Sequence, residues 1–299
     1  MWIWAAVGSA FLLGFYDVAK KQACLRNDVL HILFLATGLS ALFFLPMAVS
    51  SAFDLGLADG SVFESSQGSL RDHLLILLKA VIVSTSWITG LMGLKRLPIT
   101  TASTIKASRP MFVLLGSIVI FGERPNEWQW VGIIMALVAL WVLGRTSKQE
   151  GFDFTRNKWV YCMWAAVITG VISALYDKYL MADMKPMFVQ SWCNIYITAI
   201  MGVILLAGRI GKMEWYTPYR HDWVIWAIAL LITASDFLYF LSLSYPDSML
   251  SIISMLRRSS VIITFVCGAI LFHEKHLQSK GLALAILLAS MAILVFASR

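Results

Sequence analysis

The sequence predicts an all-α integral membrane protein of about ten transmembrane helices, arranged as two inverted five-helix repeats around a central cavity. Three observations carry that expectation. Hydrophobic residues make up 59% of the chain and charged residues only 14%, where a soluble domain carries roughly a quarter charged; the mean hydropathy is +0.76. Apolar runs follow one another along nearly the whole length, each near the ~20 residues a helix needs to cross about 30 Å of hydrocarbon. Finally, one unusual segment occurs twice.

That segment is 103–132, STIKASRPMFVLLGSIVIFGERPNEWQWVG, which sets two bases, Lys106 and Arg109, and then Pro110 in an apolar run that closes on Gly122 and Glu123. The second copy is 254–281, SMLRRSSVIITFVCGAILFHEKHLQSKG. Arg257 takes the place of Lys106 and Glu274 that of Glu123, both at an offset of 151 (257 − 106 and 274 − 123). A further match joins WAAVGSAFLLGFYD at 4–17 to WAAVITGVISALYD at 164–177, sharing the Trp-Ala-Ala-Val start and the Tyr-Asp end. With five helices per copy, the second copy enters the membrane from the opposite face. Many transporters with a substrate site near the midplane are built this way.

In chain order, the expected first helix runs from Trp2 to about Val18 and ends in YDVAKK. No base precedes it and no small-residue cleavage site follows, so it reads as an uncleaved span and not a signal peptide. Helix two is Val29–Ser51, and 53–72 is a polar loop holding Asp54, Asp59, Glu64 and Asp72. Helix three is His73–Leu94, helix four Ile99–Phe121 and helix five Glu127–Leu143. The first repeat is thus 1–145, the connector 146–158 and the second repeat 159–299. The latter holds helices at Trp159–Leu180, Pro186–Ala207, Asp222–Tyr245, Asp247–Phe272 and His276–Ala297. The 12 Trp and 9 Tyr suit interfacial belts. The 4 Cys lack CxxC spacing and read as small buried hydrophobes, without disulfides or metal. The net charge of +7 reads as basic loops facing one side of a membrane, not as a nucleic-acid surface.

The stretch ASRPMFVLLGSIVIFGERPNEWQWVGIIMALVALWVLG resembles the Pro-to-Glu-to-Gly signature of the EamA type of the drug/metabolite transporter superfamily: a Pro, about a dozen apolar residues, Gly-Glu, then a Gly in the next helix. The second copy keeps Glu274 and Gly281 but has Val261 near the position of Pro110, so the signature is complete only in the first half. The resemblance covers essentially the whole chain in length and helix count. It implies a polytopic transporter of small metabolites and leaves the substrate open.

Candidate site residues come from ionisable groups inside the spans. Lys106, Arg109, Arg257 and Arg258 lie well inside helices four and nine, and Asp236 near the middle of helix eight. Each costs about 2.5–3.5 kcal/mol at a helix centre, so they must face the bundle interior, water or each other. Thr100, Ser103, Lys106 and Arg109 step by three, and Ser248, Ser251, Ser254 and Arg258 form a similar stripe. Gln190, Asn194 and Thr198 make a third stripe on helix seven, and Thr233, Asp236 and Tyr239 a fourth on helix eight. Lys106 and Arg257, at matching positions, are the first expected substrate contacts. Arg109 and Arg258 come second, one of them pairing with Asp236. Four bases against one central acid favour an anionic or zwitterionic, amino-acid-like metabolite over a cation.

Other readings stand beside these. Asp236 either is the structural partner of Arg257 or Arg258 or couples to substrate. Tyr16 with Asp17, and Tyr176 with Asp177, either line the cavity or anchor helix ends at the interface. Lys20 and Lys21 read as snorkelling to the headgroups, and Glu123 and Glu274 as pairing at helix ends. His273 and His276 flank Glu274 without HExxH spacing, so no metal site is expected. No nucleophile elbow or phosphate-binding Gly loop is present, which argues against an enzyme and against ATP as the energy source. No cofactor is expected, and the partners are a small-molecule substrate and the bilayer of the cell (inner) membrane. A passive channel or a non-transporting membrane partner would share the same spans. Orientation is contested: loop Lys and Arg place both termini outside, whereas the family resemblance implies cytoplasmic termini.

Overall fold

The computed structural model of the chain describes residues 2–25, 27–56, 60, 64–65, 67–109, 111–113, 115–116, 126–149, 156–180, 183–211, 222–243, 256–272 and 277–296. Ten helices stand among them. The first half holds α1 (Trp2–Ala23), α2 (Val29–Phe53), α3 (Leu70–Arg96), α4 (Ile99–Ala107) and α5 (Glu127–Gln149). The second holds α6 (Lys158–Leu180), α7 (Pro186–Ile210), α8 (Trp223–Leu243), α9 (Ser260–Leu271) and α10 (Leu277–Phe296). No strand occurs among the described residues. Helices α1, α2, α3, α6 and α7 are each long and apolar enough to cross a membrane, and α5, α8 and α10 carry shorter apolar stretches. The chain is an all-helical, multi-pass membrane protein.

Local chemistry sets the helix ends. Before α3, the Ser69 hydroxyl accepts from the Asp72 amide at 3.3 Å while the Asp72 carboxylate accepts from the Ser69 amide at 2.8 Å. This reciprocal box satisfies two amides that a helix start leaves open. The chain enters α7 through extended Lys185 and Pro186, whose fixed φ suits a first helical turn. After α2, Asp54 adopts a left-handed φ of 51° and turns the chain out of the helix. Helix α5 continues to Gln149, beyond the expected end at Leu143, with the Arg145 guanidinium lying 3.9 Å over the Trp141 ring one turn back.

Helices four and nine differ from the single long spans expected. Helix α4 stops at Ala107, Ser108 is a turn, and helical backbone resumes at Arg109. In the second half Leu256 to Arg258 are helical, Ser259 is a turn, and α9 begins at Ser260. In the first copy Pro110 gives a cause, since it has no amide proton for the Lys106 carbonyl. The second copy breaks at the equivalent residue with Val261 in place of proline. Residues 117–121 and 247–255 of the expected spans lie outside the described residues, as do Ser248, Ser251 and Ser254 of the serine stripe.

Packing follows an exchange rule. Helix α1 packs on α8 and α3 on α6; α2 packs on α7, α4 on α9 and α5 on α10. Swapping each helix with the one five places away maps this pattern onto itself, as paired five-helix repeats require. Small polar groups join the faces: Ser9 Oγ donates to the Ser235 carbonyl at 2.7 Å and Ser235 Oγ to the Ser9 carbonyl at 2.9 Å. Such contacts, together with small residues that let backbones approach, substitute for a hydrophobic drive that lipid cannot supply. A Cβ at Gly14 would sit 2.6 Å from Ile263 Cβ, so α9 lies directly on the α1 backbone. A second apolar cluster joins Ala107 and Met111 to α5, Val261 of α9 and α10, and among the described residues α5 and α10 contribute none to the polar interior.

Candidate substrate cavity

Between α1, α3, α4, α6, α7, α8 and α9 lies a cavity of about 420 Å³. Helix α7 contributes Gln190 and Asn194 to its wall, and α2 contributes Leu33. Lys106, Arg109, Arg257, Arg258, Asp236, Tyr16, Asp17, Asp177, Gln190 and Asn194 all reach its wall. Tyr176 does not. Its hydroxyl donates to the Leu75 carbonyl at 3.2 Å and its ring stacks on Tyr179, so it braces α6 against α3.

Three carboxylates organise the wall. Asp17 accepts from Lys106 Nζ at 3.0 and 3.1 Å and lies 3.0 Å from Lys20 Nζ, one helical turn on. The Lys20 ammonium also sits 4.0 Å over the Tyr16 ring. Asp177, the counterpart of Asp17, lies 2.8 Å from Lys79 Nζ. Asp236 accepts from Arg257 Nη2 at 2.8 Å, and the Arg257 guanidinium lies 4.3 Å over the Tyr239 ring. The partner of Asp236 is therefore Arg257, not Arg109 or Arg258. The two bases ranked first as substrate contacts are the ones already committed to acids.

Two lysines correct the headgroup reading. Lys20 and Lys21 are 9% and 8% exposed. Lys20 belongs to the cavity wall, and Lys21 donates to the carbonyls of Leu94 and Leu97 at 2.6 Å each. Those carbonyls lie where α3 ends before Pro98, so the lysine satisfies acceptors that a helix end leaves open. Lys79 was missed altogether. The signal was present, a lone base well inside the apolar run of helix three, and the desolvation argument applied to Lys106 covers it equally.

Arg109 and Arg258 are different. Among the described residues neither has a carboxylate within ion-pair distance. Arg109 Nη2 donates to the Gly170 carbonyl, and its Nε is buried without a partner. A Cβ at Gly170 would stand 2.8 Å from Arg109 Cζ, so α6 leaves the room the guanidinium occupies. Of the helix-four stripe, Ser103, Lys106 and Arg109 line the cavity, while Thr100 is fully buried. Thr198 donates back along α7 to the Asn194 carbonyl at 2.8 Å, and Thr233 bonds Ser40 at 3.0 Å, tying α8 to α2. Glu123, Glu274, His273 and His276 lie outside the described residues.

Outside the spans, Glu64 pairs with Lys185 at the start of α7 and accepts from the Gly60 amide. The Lys185 ammonium, with that amide, holds the Glu64 carboxyl below the ordinary glutamate range.

The chain is 25% identical over 174 residues to a riboflavin transporter of Rhizobium johnstonii, a match covering 58% of this chain and 53% of that protein. It is 22% identical over 202 residues to an S-adenosylmethionine uptake transporter of Rickettsia conorii, covering 68% of this chain and 64% of that one. The matches thus span about half to two thirds of the relatives' lengths. A solved crystal structure shares the fold over 97% of this chain and 99% of its own, with a TM-score of 0.59 and 18% identity. Residues 1–145 match the EamA-like transporter family.

Proposed function

We propose that the protein is a secondary transporter that moves a small anionic or zwitterionic metabolite across the cell (inner) membrane by alternating access, driven by an ion or substrate gradient. The observation that carries this reading is the charge of the cavity wall, where six bases, Lys20, Lys79, Lys106, Arg109, Arg257 and Arg258, face three acids, Asp17, Asp177 and Asp236. At low dielectric an organic cation entering this space meets like charge, while an anion gains attraction. The volume suits one small metabolite. Both matched relatives carry names of small-molecule transporters.

The exchange rule in the packing supports the mechanism. Repeats at 1–145 and 159–299, joined by 146–158, give two near-equivalent packings open to opposite sides. Reconstitution into proteoliposomes tests the reading. Preloaded anionic or zwitterionic metabolite should drive counterflow of labelled tracer against its gradient. Downhill flux without counterflow points instead to a passive channel, and no flux of any small metabolite sinks the transport reading.

A further inference from the structure

Resting on that reading, we infer that Arg109 and Arg258 form a clamp for a metabolite carrying two negative charges, a dicarboxylate or a phosphomonoester, and that Lys106 and Arg257 are not the anion contacts.

The argument is one of charge accounting by position. Lys79 is neutralised by Asp177 and Arg257 by Asp236, and Lys106 shares Asp17 with Lys20. Of the excess that remains, one charge is shared by Lys20 and Lys106 around Asp17, and the other two sit on Arg109 and Arg258, both in the cavity wall and without an acid within ion-pair distance among the described residues. They sit at equivalent breaks: Arg109 directly follows the Ser108 turn and Arg258 directly precedes the Ser259 turn, on helices packed against each other. Their backbones are fixed. Ser108 Oγ donates to the Ile105 carbonyl at 2.7 Å and Ser259 Oγ to the Leu256 carbonyl at 2.6 Å. Arg109 is further pinned through one terminal nitrogen to the Gly170 carbonyl, and its Nε remains a buried, unused donor.

A guanidinium offers five N–H donors in a planar fork that matches carboxylate and phosphate oxygens. Two such forks without a direct ion-pair partner in one membrane-embedded cavity are costly and repel each other. A dianion removes both penalties at once. A zwitterion brings one negative group and one positive, and so leaves one arginine uncompensated and adds like charge.

The test uses the full-length protein purified in detergent. Binding of succinate and of glycerol 3-phosphate is compared with butyrate, glutamine and choline by calorimetry and thermal shift. A dianion should bind at least tenfold tighter than butyrate or glutamine, with the better of the two dianions separating carboxylate from phosphate recognition. Arg109→Gln and Arg258→Gln should each weaken that dianion roughly 10- to 100-fold, the loss of a charged hydrogen-bond partner. Gly170→Ala, which crowds the Arg109 guanidinium, should weaken it in the same direction. Lys106→Gln should weaken it less than either arginine variant, while Lys185→Gln, outside the cavity, should leave affinity unchanged. The clamp is overturned if glutamine or butyrate binds as tightly as both dianions, if neither dianion binds, or if both arginine variants keep wild-type affinity. Counterflow with a zwitterion in the face of such a result would leave transport standing and the clamp refuted.

Discussion

Ser108 and Ser259 make the same turn in the two halves of the chain. Each hydroxyl donates to the carbonyl three residues back, Ile105 and Leu256, at 2.7 and 2.6 Å. Each amide reaches the same carbonyl at 3.2 and 3.1 Å, and the amides of Met111 and Ile262 close the next turn on the Ser108 and Ser259 carbonyls. All of these pairs are related by the offset of 151 that relates Lys106 to Arg257. The break is therefore repeated in geometry even though proline is not.

The two turns should not be equally sensitive to loss of the hydroxyl. In the first copy Pro110 interrupts the ladder whatever occupies position 108. In the second copy Val261 has an amide proton that proline lacks, and the side-chain bond of Ser259 is the device that holds the break. Ser259→Ala should lower transport and thermal stability measurably, by roughly 1 kcal/mol in stability, while Ser108→Ala stays close to wild type. Equal behaviour in a thermal melt and a counterflow assay would show that something other than the hydroxyl sets the second break.

Asp236 and Arg257 are each about one-fifth exposed at the side chain, and they pair inside the bundle. Removing the acid alone strands a guanidinium in a site of low dielectric. Asp236→Asn should destabilise the protein by on the order of 3 kcal/mol. The double variant Asp236→Asn with Arg257→Gln should recover much of that loss, because neither charge then remains. Detergent-solubilised unfolding midpoints for the single and double variants decide the matter, and a double variant no more stable than Asp236→Asn would rule out the pairing as the cause.

How far the sequence could be read depended on which physical variable each question needed. Spans were legible because length and apolarity alone decide them. That Lys106, Arg109, Arg257, Arg258 and Asp236 face inward was legible too, because the cost of facing lipid is the same in any fold. Partner choice was not. Whether Asp236 meets Arg257 or Arg258 depends on the rotation of α8 against helix nine, and adjacent residues on a helix point about 100° apart. Lys20 and Lys21 were misread because a lysine near a helix end looks the same in sequence whether it reaches headgroups or neighbouring carbonyls. Which neighbour lies beside it is a tertiary fact, here the end of α3 at Leu94 and Leu97. Helix four was read through in spite of Pro110, and helix nine gave no sign of its break because Val261 stands where the first copy has proline.

The loop before α3 is tethered by Glu64 to Lys185. Because the Glu64 carboxyl is held below the ordinary glutamate range, the folded state binds its proton more weakly than the unfolded chain does. The contribution is fully present above the ordinary glutamate pKa and is lost as pH falls through the lowered folded value. Amide exchange of 64–69 should thus be unchanged from neutral pH down to the range where free glutamate begins to protonate, after correction for intrinsic rates, and rise as pH falls further. Glu64→Gln should raise exchange there at neutral pH. The effect should shrink in high salt, since the pair is exposed. A loop whose protection ignores both substitution and salt would be held by other contacts, such as Phe188 packed under Gly68.

Orientation is the remaining prediction, and the positive-inside count favours one answer. In the sequence, Lys and Arg concentrate in the connections after α1, α3, α5, α7 and α9, with only Arg71, Arg124, Lys178, Lys185 and Arg299 on the opposite side. Part of that excess belongs to the interior and should be removed from the count. Lys20, Lys21 and Lys280 are buried, and Lys95 is drawn to Asp28 and to the Asn27 carbonyl. Arg96, Arg145, Arg156, Lys158 and Arg209 remain on the first side with the sequence's Arg26, Lys148, Lys212, Arg220 and Lys275, still about twice the number on the other. The rule counts bases in short loops near span ends, as these are. Both termini are accordingly expected outside the cytoplasm, opposite to what the family resemblance implies. A phosphatase reporter joined after Arg299 should be active in its periplasmic form, and a fluorescent reporter that matures only in the cytoplasm should stay dark. The reverse pattern would mean that these loop bases line a transport path or bind lipid, and that the count does not set topology in this chain.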